Sequence, residues 1–311
     1  FSYVLHASIF NFLIVFATFF TLIKFNLNVH ISFFYSLLVA VLAYPTSGTP
    51  FLDHHSMILS LIALFSFILS LKEKSNIYWF TTPIFIALAF LSKQVPAAYI
   101  GLIIIIFSII YFFYYFDIKK IFIFFLGSIT ITALSLLFLL VNDINLYSFY
   151  EQIFLSPLTI GGDRLQNFIL PLEFNRIVLR FKLIHLSQII LIFIIVKKVI
   201  ENLNYFKNNE FFILISIVFT SFSLIAHQLL TLNQKFIFFI IPILLGFSHI
   251  YYKKYFTYNI VVFCILILFG SASTIYYKFN YVDNRKFMEL ETVDLKRSLD
   301  ASILDKKLKN L

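Results

Sequence analysis

Residues 44–71 read Y-P-T-S-G-T-P-F-L-D-H-H-S-M-I-L-S-L-I-A-L-F-S-F-I-L-S-L, a short polar lead-in running into a long apolar stretch. Pro45, Gly48 and Pro50 make the lead-in a turn rather than a continuing helix. The apolar stretch approaches the roughly 20 residues that a helix needs to cross a bilayer core of about 30 Å. Asp53 is the only acidic residue among the first 72, and His54 and His55 follow it directly. A carboxylate and two imidazoles at the mouth of a membrane helix are costly to keep there unless they are used. The Tyr44–Ser56 loop is therefore a candidate part of an active site.

The rest of the chain repeats the apolar pattern. Of 311 residues 61% are hydrophobic and 13% charged, with a mean hydropathy of +0.94. Soluble domains carry about a quarter charged residues, so the expectation is an all-α, polytopic transmembrane bundle. Roughly ten spans are expected, near 2–23, 31–45, 55–71, 77–92, 97–116, 121–141, 177–196, 211–230, 236–252 and 256–277. They form one membrane unit, 1–278, followed by a short helical tail, 279–311. The single cysteine, Cys264, lies inside an apolar run and excludes a disulfide framework or a thiolate metal cluster. The net charge of +9 does not point to nucleic acid, because most lysines sit in short loops between apolar runs.

Those lysines orient the chain. Lys24, Lys72, Lys74, Lys119, Lys120, Lys197, Lys198, Lys207, Lys253 and Lys254 fall on one set of alternate loops, which the positive-inside rule makes cytoplasmic. The Asp53 loop, the Lys93 turn, the long 142–176 connection, the Lys235 turn and the tail then share the extracytoplasmic face. The expected location is the inner (plasma) membrane, with the active face outward. Phe1 also falls outward, inside an apolar run, with neither a basic n-region nor a cleavage site; the expectation is no signal peptide and at least one span upstream. In the 142–176 loop, residues 145–155 have the spacing of an interfacial helix. Arg176, Arg180 and Lys182 follow it, either as snorkelling anchors or as a surface for a lipid phosphate.

The unusual polar groups at span ends lie on the Asp53 side. They are Asp53, His54 and His55; Lys93 and Gln94, just before Pro96; His227 and Gln228; and Asn233, Gln234 and Lys235. Converging helix ends would offer a carboxylate, imidazoles and ammonium groups, which suit an anionic, lipid-linked substrate. Plainer readings stand beside this one. Asp53 can cap its own helix, Lys93 and Lys235 can anchor at the interface, and the histidines can simply hydrogen-bond. His54 and His55 are adjacent and cannot face the same way. Asp53 with His54 is the candidate pair for a divalent cation, and His6, His30, His185 and His249 are read as structural or interfacial.

Two stretches carry a family resemblance. F-L-D-H-H-S-M-I-L-S-L-I-A-L-F-S-F (51–67), followed by A-L-A-F-L-S-K-Q-V-P-A (87–97), resembles bacterial GT-C glycosyltransferases of the protein mannosyltransferase-like group, glycosyltransferase family 39. Asp53 matches the Asp that opens a span, and Leu91-Ser92-Lys93 matches the Leu-Ser/Thr-Lys signature that ends the next. H-Q-L-L-T-L-N-Q-K-F-I-F-F-I-I-P-I-L-L (227–245) is similar to a later family segment, in which Lys235 would take the basic role. The His54-His55 pair is not part of that pattern. The resemblance covers roughly residues 1–250 and implies a GT-C topology with a long extracytoplasmic loop.

What the resemblance implies is transfer of a sugar from a polyprenyl-phosphate donor to a lipid or glycan acceptor. It places the principal catalytic base in a loop upstream of Phe1. Asp53 and His54 are the candidate catalytic residues in the sequence at hand. His55, Lys93, Gln94, Arg164, His227, Gln228, Gln234 and Lys235 are the candidate substrate-binding residues. The alternative class is a transporter or lipid flippase, which would place charges near the midplane of paired broken helices.

Overall fold

The structure is a computed structural model that describes residues 2–45, 51–159, 174–231, 236–256 and 259–280. Among these residues every regular element is helical. The long helices are α1 (Ser2–Lys24), α2 (Val29–Ala43), α3 (Leu52–Glu73), α4 (Asn76–Ser92), α5 (Gln94–Tyr114) and α6 (Ile118–Val141). A short helix, α7 (Leu146–Tyr150), runs on through residues 151–159. After it come α8 (Lys182–Glu201), α9 (Asn209–Thr231), α10 (Ile240–Tyr255) and α11 (Ile260–Ile275). Each expected span falls on one of these helices. Among the described residues eight segments are long and apolar enough to cross a membrane, while α2 and α4, at 15 and 17 residues, are shorter.

The axis of the bundle is α3. It is apolar all round, and 17 of its 22 residues are buried, as expected of a helix enclosed on every side. It packs against α1, α4, α5 and α9. Ser56, Ser60, Ser66 and Ser70 are buried along it, small enough to let neighbouring backbones approach. The peripheral helices show the opposite pattern. On α5 and α6, Phe113, Phe122, Phe125 and Phe138 are exposed, which in a lipid environment costs nothing.

Helix α4 carries Pro83 and packs closely on α6. At the crossing a Cβ on Gly127 would stand 2.2 Å from the Phe80 carbonyl oxygen and 2.9 Å from Pro83 Cγ. Only glycine admits that approach. In the second half of the chain α8 and α10 pack together, and buried polar groups cross between helices. Ser248 Oγ donates to the Ser187 carbonyl at 3.0 Å, and Ser221 Oγ donates to Gln188 Oε1. Apolar surface alone gives little preference for helix partners inside lipid, so such bonds specify which helices meet.

The long helices alternate in direction along the chain, as the ion pairs between their ends require, which separates two ends. One holds Ala43, Asp53, Lys93 and His227. The other holds Lys24, Lys72, Lys74, Lys207, Glu210 and Lys254. Asp53 and Lys72 lie 19 residues apart on α3, roughly 28 Å at 1.5 Å per residue. The lysine alternation read from the sequence corresponds to these two ends of the bundle.

Candidate functional site

The Asp53 stretch departs from the expected loop. Helix α3 starts at Leu52, so Asp53, His54 and His55 occupy its first turn, and all three are buried. Phe51 takes the cap position, which leaves the Asp53 carboxylate one step further in. It is 5% exposed, too enclosed to be solvated as a free anion. Its neighbours compensate. Lys93 Nζ donates to Asp53 Oδ2 at 2.5 Å, and His227 Nε2 lies 3.6 Å from Oδ1.

Local sequence explains why Lys93 reaches Asp53. Pro96 biases the residue before it away from the helical region, and Val95 is extended at φ −118°, ψ 126°. Lys93 is extended too (φ −163°, ψ 131°) and forms the joint between α4 and α5. Its N–H donates to the Ala89 carbonyl at 3.1 Å, and its own carbonyl accepts from Ser56 Oγ at 2.8 Å. Ser56 lies one turn below Asp53, so α3 holds the Lys93 joint twice, once by backbone and once by charge. The Lys93 side chain keeps 34% of its surface exposed and stays within reach of a further anion.

The two histidines diverge, as adjacency on a helix requires. His54 Nε2 is 2.5 Å from the Ala43 carbonyl oxygen and ties α3 to the end of α2. Against a carbonyl that nitrogen carries the proton and donates. His55 turns the other way. Its ring stacks on Phe10 of α1 with centroids 4.0 Å apart, and lies 4.6 Å from the His6 ring. His6, which the sequence places as structural or interfacial, packs at this end of the bundle. Its only sequence signal is its place near the same end of the first apolar run. Ser56, which positions Lys93, carries no signal that separates it from the other serines of α3.

The expected pairing of Asp53 with His54 at a divalent cation is not what the geometry gives. His54 is engaged with Ala43, and the histidine beside Asp53 is His227. Among the described residues no three His, Cys, Asp or Glu side chains come together as metal ligands. Gln228, next to His227, is buried, and neither end of its amide has a hydrogen-bond partner among the described residues. Gln94 stands half-buried beside Lys93. Arg164, Gln234 and Lys235, together with the 279–311 tail from residue 281 on, lie outside the described residues.

An apolar trough reaches this end from mid-bundle. One cavity of about 560 Å³ runs between α4, α5 and α6, from Pro83 and Gly101 to Leu91 and Ala97, which flank the Lys93 joint. A second, of about 540 Å³, shares Leu91, Ile131, Ser135, Leu139 and Phe149 with it and continues beneath α7. The chain matches no protein-family model, and neither a characterised protein nor a solved structure shows significant similarity to it.

Proposed function

We propose that the chain is a multi-pass membrane glycosyltransferase that moves a sugar from a polyprenyl-phosphate donor to a lipid or glycan acceptor. The reading includes ten spans in a GT-C topology, with the lysine-rich end cytoplasmic and the Asp53 end facing out. The observation that carries it is the meeting of Asp53, Lys93 and His227 beside an apolar trough. An isoprenoid chain fits a trough lined by aliphatic and aromatic side chains. Its phosphate would then lie near Lys93. An ammonium has three donor hydrogens, so Lys93 can hold Asp53 and a phosphate oxygen together.

In this reaction the bond from the anomeric carbon to the phosphate oxygen breaks, and a bond from the acceptor oxygen forms. The acceptor proton passes to a general base, and the departing phosphate gains the negative charge. Lys93 offsets that charge. Asp53, fixed by Lys93 and His227, orients hydroxyls of the sugar or acceptor, and the buried Gln228 amide supplies further polar contacts. Arg164, Gln234 and Lys235 are proposed as additional donor-binding groups.

The test is transfer from radiolabelled polyprenyl-phosphate hexoses in membranes that contain the full-length protein and its endogenous acceptors. Lys93→Met and Asp53→Asn should each lower transfer at least tenfold while the protein stays folded. Wild-type transfer by a folded Lys93→Met protein would remove the leaving-group role and this reading of the site.

A further inference from the structure

At the opposite end, between α1, α3, α9 and α10, lies a cleft of about 620 Å³. Four lysines line it, Lys72, Lys74, Lys253 and Lys254, against a single carboxylate, Glu210. That carboxylate is already neutralised. Glu210 Oε1 accepts from Lys254 Nζ at 2.9 Å, and the Tyr255 hydroxyl donates to Oε2. Lys72, Lys74 and Lys253 have no carboxylate within ion-pairing distance among the described residues. Helix α9 begins at the same place, with Asn208 and Asn209 in the wall. The Glu210 N–H donates to Asn208 Oδ1 at 2.9 Å, and Asn209 Nδ2 donates to the Leu71 carbonyl at 3.0 Å, which fixes the start of α9 against the end of α3. The positive end of the α9 dipole therefore adds to the lysine field.

We infer that this cleft binds a phosphomonoester, presented as the headgroup of an anionic lipid. Lysines that only oriented the chain would need nothing more than to lie on this side of the membrane. Here three unneutralised ammonium groups border one concave space, which suits a dianion better than a monoanion. The floor is apolar, with Phe25, Leu27, Leu71, Ile213 and Ile250, as an amphiphile requires. A second cleft of about 640 Å³ adjoins it and shares Lys74, Asn208 and Asn209; Lys120 and Lys207 line it as well. Lys74 thus borders both. The inference is independent of the reaction proposed for the Asp53 end.

The test measures binding to the purified full chain in neutral detergent, using dioctanoyl phosphatidic acid, dioctanoyl phosphatidylcholine and inorganic phosphate as separate probes. Phosphatidic acid should bind saturably and more weakly as salt is raised. At about fivefold per lysine near a membrane surface, Lys74→Asn should weaken it about fivefold, and Lys74→Asn with Lys253→Gln about 25-fold. Asparagine suits the left-handed backbone of Lys74, φ 54°, so the fold is spared. Lys119→Gln, outside both clefts, should change nothing. Inorganic phosphate that binds as tightly as phosphatidic acid would keep the phosphate site but overturn the lipid source. Equal binding of phosphatidylcholine, or wild-type affinity in the double variant, would overturn the site.

Discussion

Replacing Lys93 by methionine keeps the side-chain stem and removes the ammonium that faces Asp53. The carboxylate is then left 5% exposed, with the His227 ring 3.6 Å away. Removing one partner of a fully buried ion pair costs about 3–5 kcal/mol, whereas an exposed pair contributes about 0–1. Lys93 is one-third exposed, so the expected loss lies between these limits, at about 2–3 kcal/mol. For a chain of this size each kcal/mol moves the melting temperature by roughly 2 °C, which gives a fall of about 4–6 °C. Asp53→Asn should cost less, about 1–2 kcal/mol, because the lysine it strands can turn its head to water. The double variant then separates the pair from everything else. Thermal unfolding of the four proteins in one detergent should give a coupling energy of about 1–2 kcal/mol. Single losses that add within about 0.5 kcal/mol would mean that the two groups do not interact, and the site as described would fall.

Gly127→Ala should drive α4 and α6 apart at the Phe80 carbonyl and cost about 2–3 kcal/mol, read as a lower melting temperature; wild-type stability would contradict the close crossing. Asp117 caps α6 through the N–H groups of Lys119 and Lys120, and the hydrogen bond from the Lys120 side chain is the main reason its carboxyl sits below the usual range. A lowered folded-state value gives stability that is complete above the ordinary carboxylate pKa and is lost as pH falls through it and beyond. Asp117→Ala should therefore cost about 0.5–1 kcal/mol at pH 7, with the gap to wild type closing below about pH 4; a gap that persists at pH 3 would argue against the charged cap. In a Cys264→Ser background, Lys74→Cys should react with a membrane-impermeant maleimide only after the membrane is opened, and Asn145→Cys without opening it. The reverse pattern would invert the proposed orientation.

Much of the fold was legible because one physical demand dominates it. A helix surrounded by lipid must satisfy its own backbone and present apolar side chains, so length and hydropathy locate each helix to within a few residues. The boundaries differ where polar residues at a span end read as loop. The sequence pattern starts the α3 span at His55, which leaves Asp53 and His54 before it; both are inside the helix, because the partners that let them be buried come from other elements. Lys93, Ala43, Phe10 and His227 stand 40, 11, 45 and 174 positions from their respective partners Asp53, His54, His55 and Asp53, beyond any local pattern. The convergence of polar span ends was readable from alternation. The pairing within it was not, since alternation gives an end of the bundle and no neighbour on it.

The two charged ends have a common logic that periodicity does not reveal. Asp53 on α3 and Glu210 on α9 are both buried carboxylates in the first turn of a long helix, where the helix dipole also favours negative charge. Each is held by a lysine from a neighbouring helix end, Lys93 for Asp53 and Lys254 for Glu210. Between them α3 and α9 lie antiparallel, and α9 returns His227 to Asp53 roughly 26 Å above Glu210. Lipid tails are as apolar as leucine, so packing alone would let these helices slide or exchange partners at little cost. A carboxylate clamped at each end removes that freedom, because a slip of one turn would strand a buried charge. The same residues can thus set the register of the bundle and shape the groups it presents to a ligand. That is why stability and binding must be measured on the same variants.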